Sequence, residues 1–462
     1  MPARLVPTKI PEFGDPTVEP QVPAATFAKR QEAAADRAAQ AGLDALVVYG
    51  DREHAANLAW LTGYDPRFEE ALLVMVPGQT PHLLIGNEGW GYAELAPAPF
   101  ERLLWQTLSL PGQPRTAVPT LTDLLRQAGL RGGETIGAVG WKPFAASDSG
   151  ADRHSLDLPA FVADPLRDLG GGRDRVVNAN ALFMDPDAGL RAINDVDQLA
   201  CFEFAACFTS DAVKGALLAL RPGITEIEAA RAMRLPGLAH SCHTMLSAGP
   251  RARAGLCSPG LRPIERGDPV TMACGITGAL NARAGFLAND AADLPRDAAD
   301  WLDRLVVPYF EAAAAWWQTL AIDRPAGALW SAVHERIGDP FFGVSLNPGH
   351  LIGHEEWMHS AVTRGSESRL RSGMALQCDI IPATGGPYFT TNIEDGLALA
   401  DDALRAAFAS RYPEAWKRIA ARRRWLEETI GIRLAPEVLP FSSIAGWLTP
   451  FLLDPHHAMR LV

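Results

Sequence analysis

From residue 26, TFAKRQEAAADRAAQAGLD carries Ala, Arg and Gln at a density that predicts a helix, and Gly42 is placed to end it. The β-branched run DALVVYG, 44–50, predicts a short strand. EALLVMVP and TPHLLIG predict two more, separated by a PGQ turn. Strands alternating with helices to about residue 180 predict a small α/β domain over 26–180. Ahead of it, residues 1–25 carry prolines at 2, 7, 11, 16, 20 and 23 and little apolar periodicity. They predict an extended arm that lies on the body or reaches a neighbouring subunit.

The texture changes after the Gly- and Asp-rich DLGGGRDR at 168–175. NDVDQLACFEFAACFTSDAVKGALLALRPG predicts a long helix stopped at Pro222-Gly223, and ITEIEAARAM restarts it behind a capping box of Thr225 and Glu228. WLDRLVVPYFEAAAAWWQTL, a break and ALWSAVHERI echo that order about a hundred residues later. Each pair is followed by strand-like sequence, which predicts an internally duplicated α+β domain over 190–435. Residues 436–462, including VLPFSSIAGWLTPFLLDP, read as an apolar tail packed on the body.

Composition narrows the class. A chain of 462 residues exceeds one core, and 48% apolar with 21% charged residues is ordinary globular composition. No eighteen-residue apolar run predicts a membrane span, and the opening residues lack the pattern of a secretory leader. Six cysteines without a CxxC pair fit reduced thiols in a cytoplasmic protein. A net charge of −12, with only a short ARRR run at 421–424, argues against a nucleic-acid partner. The expected partners are a small-molecule substrate and a second copy of the chain.

The chemistry concentrates in GHLIGHEEWMH, 349–359, with three histidines and two glutamates. His350 and His354 have the i, i+4 spacing of a zinc-protease helix, but Pro348, Gly349 and Gly353 argue against a helix there. Downstream, RSGMALQCDIIPATGGPYFTTNIEDGLAL predicts two strands joined by a Gly-Pro turn. Asp379 and Glu394 lie in apolar strand sequence and so require partners, a structural salt bridge being the plain alternative to a site. Asp395 is expected to face away from Glu394.

In this order of features the chain resembles the creatinase/prolidase/methionine aminopeptidase family, over about residues 26–405. Gly349-His350, Gly373-Met374 with Asp379, and Ile393-Glu394-Asp395 resemble its motifs, as do RPGITEIEAA and AGLDALVVYGDREHAANLAWLTGY. The resemblance implies an α/β N-terminal domain followed by an α+β pita-bread domain. The family's metallopeptidases use two aspartates eleven residues apart on a hairpin after a Gly-Asp pair, with one histidine and two further acids. Counted from Gly267-Asp268, the two aspartate positions fall on Ala273 and Ala284. The expectation is therefore no metal and no cofactor, as in creatinase, the family's metal-free hydrolase. That comparison implies hydrolysis of a C–N bond in a small cationic or amidine-like metabolite. His350 would be the acid/base, with His359 able to share that role, and Cys257 a nucleophile or an inert thiol. Asp379 and Glu394 would anchor the substrate. Arg283 would reach a substrate carboxylate or make a structural salt bridge. Arg67 and Phe68 would close the site of a partner subunit. The alternatives are an Xaa-Pro aminopeptidase with a single metal ion, and a binding protein without catalysis.

Overall fold

The structure is a computed structural model and describes residues 2–462 except 117, 146 and 149. Strand β1 (Ala3–Pro7) pairs antiparallel with residues 457–461, so the proline-rich opening is fastened to the other end of the sequence. Two units emerge, one of residues 22–192 and one of residues 1–21 with 193–462. The boundary lies beyond the expected 180, and DLGGGRDR sits inside the smaller unit. It holds the left-handed Gly171 that ends the helix Ala160–Gly170 and the turn into the next strand.

In the smaller unit the helix Ala24–Gln40 runs up to Gly42, whose positive φ lets the chain reverse into β2 (Ala45–Gly50). With β3 (Ala71–Met75), β4 (His82–Ile85), β5 (Glu101–Leu104), β6 (Ile136–Val139) and β7 (Val176–Asn178) it forms a sheet of order β5-β4-β3-β2-β6-β7. β2, β3 and β4 are antiparallel neighbours, whereas β5, β6 and β7 join in parallel. The β-branched run of β2 is buried along its whole length. Its Val47 and Tyr49 pack with Leu124, Leu125 and Leu166 on one side of the sheet.

The larger unit opens with the helix Val196–Ala219, buried along much of its length. Thr225 Oγ1 accepts from Glu228 N at 3.2 Å and Glu228 Oε2 accepts from Thr225 N at 2.9 Å, closing the expected capping box of the helix Glu226–Arg231. The second pair is Val307–Thr319, entered through a π-helical turn at Leu302–Val306, and Gly327–Ile337. The strands are β8 (Met245–Ala248), β9 (Pro269–Ile276), β10 (Ala279–Phe286), β11 (His350–Leu351), β12 (Ala375–Cys378), β13 (Asn392–Leu399), β14 (Val438–Pro440) and β15 (His457–Leu461). They form an antiparallel sheet of order β11-β12-β13-β10-β9-β8, with β14 added to β13 and β15 paired to β1. Each helix pair thus precedes strands of one sheet, the α+β pattern read from the duplicated texture. A buried ion network of Glu203 with Arg418 and Arg422 ties the long helix to the helix Pro413–Arg424. Among the described residues no helix is long and apolar enough to cross a membrane.

Candidate functional site

Strand alternation brings the chemistry together. In the register of the sheet Glu394 lies opposite Ala282, and Ala282 opposite Ala273. Partners across a sheet share a face, so these three side chains point the same way. Ala284, two residues along β10, joins them. This face is one wall of a cavity of about 490 Å³, whose floor carries Glu356, Asp379 and Glu394. Much of the rest is apolar, including Leu256, Leu346, Trp357, Ile381 and Phe389. Phe389 is held at φ 57°, a backbone state uncommon for a bulky residue, so the wall keeps its aromatic ring in place at a conformational cost.

His350 enters from β11, paired with Gln377 of β12. The preceding Gly349 has φ 132°, and a Cβ there would come within 2.8 Å of the Gln377 carbonyl oxygen and 3.0 Å of Trp316. The Gly-His pair therefore brings the imidazole closer to the sheet than another residue would allow. Asp379 follows the last residue of β12, where the chain leaves the sheet and turns its carboxylate into the cavity. One nitrogen of His350 and one oxygen each of Asp379 and Glu394 lie within 4.8 Å of one another, and all three residues are buried.

Few neighbours satisfy these groups. Glu394 accepts a hydrogen bond from Gln377 Nε2 at 3.3 Å, while Asp379 Oδ1 and His350 Nε2 are buried without a hydrogen-bond partner among the described residues. Glu356 Oε1 stands 3.1 Å from His350 Nε2, an ion-pair distance without hydrogen-bond alignment. The face of Trp357 stacks on the imidazole at 4.2 Å. Burial, with Glu356 adding repulsion and His350 drawing the other way, pushes Asp379 up to about 6. Burial first, then Asp379 and Glu356, lift Glu394 well above the usual carboxylate range. Burial pulls the His350 imidazole down, but Glu356 and Asp379 outweigh it and the net shift is upward. Crowded carboxylates in a dry place hold protons that a cation would displace.

The donor set fits one metal ion and not two. A histidine and two carboxylates leave a coordination position open on a single ion, and two of their donor atoms are orphaned where an ion would satisfy them. A second ion needs bridging carboxylates, and the methyl groups of Ala273 and Ala284 supply none. The sequence alone predicted no metal, whereas the geometry accommodates one.

The other sequence-predicted residues of the larger unit lie outside this cluster. Arg283 is corrected as a substrate anchor. It alternates to the reverse face of β10, where it pairs with Asp395 at 3.0 Å and donates to the carbonyl oxygen of Trp447 at 2.9 Å. Cys257 is not in the cavity lining. Its carbonyl accepts from Leu246 N at 3.1 Å, its sulfur faces the Arg251 carbonyl at 3.7 Å, and the preceding Leu256 is the side chain presented to the cavity. His359 bridges to Leu351 through its backbone and sets Nδ1 3.2 Å from the Ser360 carbonyl, outside the lining. Arg67, which pairs with Asp65, and the exposed Phe68 belong to the smaller unit. Glu356 and Trp357 had no assigned role in the sequence reading. The signal was their place in the acid-rich stretch beside His350, but no periodicity shows that the loop folds back.

Residues 30–144 match the family described as the Creatinase/Prolidase N-terminal domain. No curated protein matches the chain. Among solved structures it is similar to the dipeptidase PepE of Mycobacterium ulcerans, with TM-score 0.60 and 19% identity over 82% of this chain and 95% of that one. It is also similar to the prolidase of Pyrococcus horikoshii, with TM-score 0.61 and 15% identity over 80% and 95% of the two chains. The Xaa-Pro dipeptidase of Bacillus anthracis gives TM-score 0.61 and 14% identity over 82% and 96%. The protein thus carries a creatinase/prolidase N-terminal domain and shares the pita-bread fold of these peptidases.

Proposed function

We propose that this protein hydrolyses the amide C–N bond of a small peptide of the Xaa-Pro kind, with one divalent metal ion held by His350, Asp379 and Glu394. The observation that carries this reading is the convergence of those three buried donors within 4.8 Å of one another, with Asp379 and Glu394 lining the floor of a cavity. The names of the similarly folded proteins, prolidase and Xaa-Pro dipeptidase, favour a peptide over a creatine-like substrate. When bound, the ion would polarise the scissile carbonyl and lower the pKa of a bound water. The chain's own part is placement. β11, β12 and β13 hold the three donors in a fixed relation, and Gln377 donates to Glu394 to orient its carboxylate. Leu346, Trp357, Ile381 and Phe389 offer apolar contact to the substrate side chains and exclude water around the reacting bond.

The test is a peptidase assay on Xaa-Pro dipeptides with metal-stripped protein, before and after addition of Mn²⁺ or Zn²⁺. Activity should appear with metal and vanish with chelator. His350→Ala should lower kcat/KM by about 100-fold or more, since loss of even an outer partner of a metal ligand costs 10–100-fold. Failure of metal-loaded protein to cleave any such dipeptide overturns the proposal.

A second reading is favoured by Ala273 and Ala284. Three carboxylates around an imidazole also suit a guanidinium, amidinium or ammonium group. In that reading His350 would protonate a leaving nitrogen without metal. Chelator-resistant turnover of a guanidino or amidine compound would select it.

A further inference from the structure

The segment after His350 doubles back on it. Leu351 N donates to the His359 carbonyl at 2.7 Å, and Met358 N donates to the Leu351 carbonyl at 3.0 Å. That closure carries Glu356 and Trp357 to the imidazole six and seven residues behind them. Trp357 covers the ring face with an interplanar angle of 21°. Glu356 brings Oε1 to 3.1 Å from Nε2, and the carboxylate lines the same cavity as Asp379 and Glu394. It is the most accessible of the group, with 25% of its side chain exposed, whereas His350 is fully buried. Asp379 Oδ1, also buried and without a hydrogen-bond partner among the described residues, belongs to a side chain of the same floor.

Two carboxylates converging on one imidazole, with a third 3.1 Å from its Nε2, are costly without positive charge. Among the described residues that line the cavity there is no lysine, and Arg253 is the one arginine. A divalent ion would offset two of the three negative charges and satisfy the orphaned oxygen of Asp379 together with His350 Nε2. We propose that Glu356 is a fourth ligand, which with His350, Asp379 and Glu394 completes a site for a single ion and replaces the carboxylates missing at Ala273 and Ala284. The inference rests on the single-ion reading above and adds a ligand from a different segment. A set of three carboxylates and one imidazole suits Mn²⁺ or Zn²⁺ better than a thiolate-seeking ion. Trp357 acts as a positioning residue, holding the imidazole edge-on to the carboxylates.

Calorimetric titration of the metal-stripped full chain with Mn²⁺, and separately with Zn²⁺, tests this without an activity assay. Wild type should bind one ion per chain and melt at a higher temperature with it. Glu356→Gln should weaken binding by at least about tenfold and change the visible spectrum of the Co²⁺-loaded protein. Unchanged affinity in Glu356→Gln, with binding abolished in His350→Ala, overturns the fourth ligand and leaves the single-ion reading standing. Absence of any binding by wild type overturns both.

Discussion

Glu394 and Asp395 are adjacent in β13 and both buried, yet their surroundings are opposite. Asp395 accepts from Arg283 at 3.0 and 3.1 Å, from Asn281 at 3.0 Å and from Gly446 N at 3.0 Å. Glu394, on the cavity face, accepts only the 3.3 Å bond from Gln377 among the described residues. The two faces of one strand therefore divide the work. The reverse face is a finished polar network that fixes β13 in place, helped by Tyr309, whose hydroxyl accepts from Ile393 N at 2.7 Å. The cavity face crowds its carboxyl groups with few hydrogen bonds, so burial and mutual repulsion keep protons on them. The lesson is that unsatisfied charge beside satisfied charge, one residue apart, marks the site more sharply than either acid alone.

The contrast is open to experiment, and the largest effect belongs to the finished face. Arg283→Met would leave Asp395 buried without its cation and should destabilise the fold by about 3–5 kcal/mol, read from the denaturant midpoint. A change near zero would mean that the reverse face does not brace the sheet. A smaller effect is expected from the cavity side. Ala273→Asp adds another uncompensated acid and should cost about 1–3 kcal/mol in metal-stripped protein. Mn²⁺ should restore that loss and raise the stoichiometry from one ion per chain towards two.

The smallest effect is a pH dependence of opposite sign at two buried acids. Asp379 has a folded-state pKa raised to about 6, so the native state holds its proton where the unfolded chain has lost it. The stability gained by Asp379→Asn over wild type should grow as pH rises towards 6 and level off above it. Glu203 runs the other way. Burial would raise its pKa, but Arg422 and Arg418 more than offset that and hold it below the usual value. Its contribution is present above the ordinary carboxylate range and is lost as pH falls through the lowered value, so Glu203→Gln should cost least in acid. Parallel pH profiles for the two variants would sink the comparison.

Much of this was legible from local rules. Thr225 and Glu228 announce a helix start because a capping box needs only four residues. The opposite facing of Glu394 and Asp395 follows from strand alternation, and the same rule sends Arg283 away from Ala282 and Ala284. Asp379 and His350 could be paired with Glu394 only through the resemblance, since nothing local relates residues on separate strands. The loop that returns Glu356 and Trp357 to His350 has no repeat to read. Its shape comes from the 2.7 Å bond between Leu351 and His359, a matter of closure and not of composition. Cys257 shows the limit of counting: one position decides whether a thiol or Leu256 meets the cavity.

The pairing of β1 with β15 has a consequence for biogenesis. The 22–192 unit is contiguous and can be completed while more than half of the chain is still unmade. The other unit needs residues 457–461 to seal the strand begun at Ala3, so vectorial synthesis leaves that early strand waiting until about 450 further residues have been made.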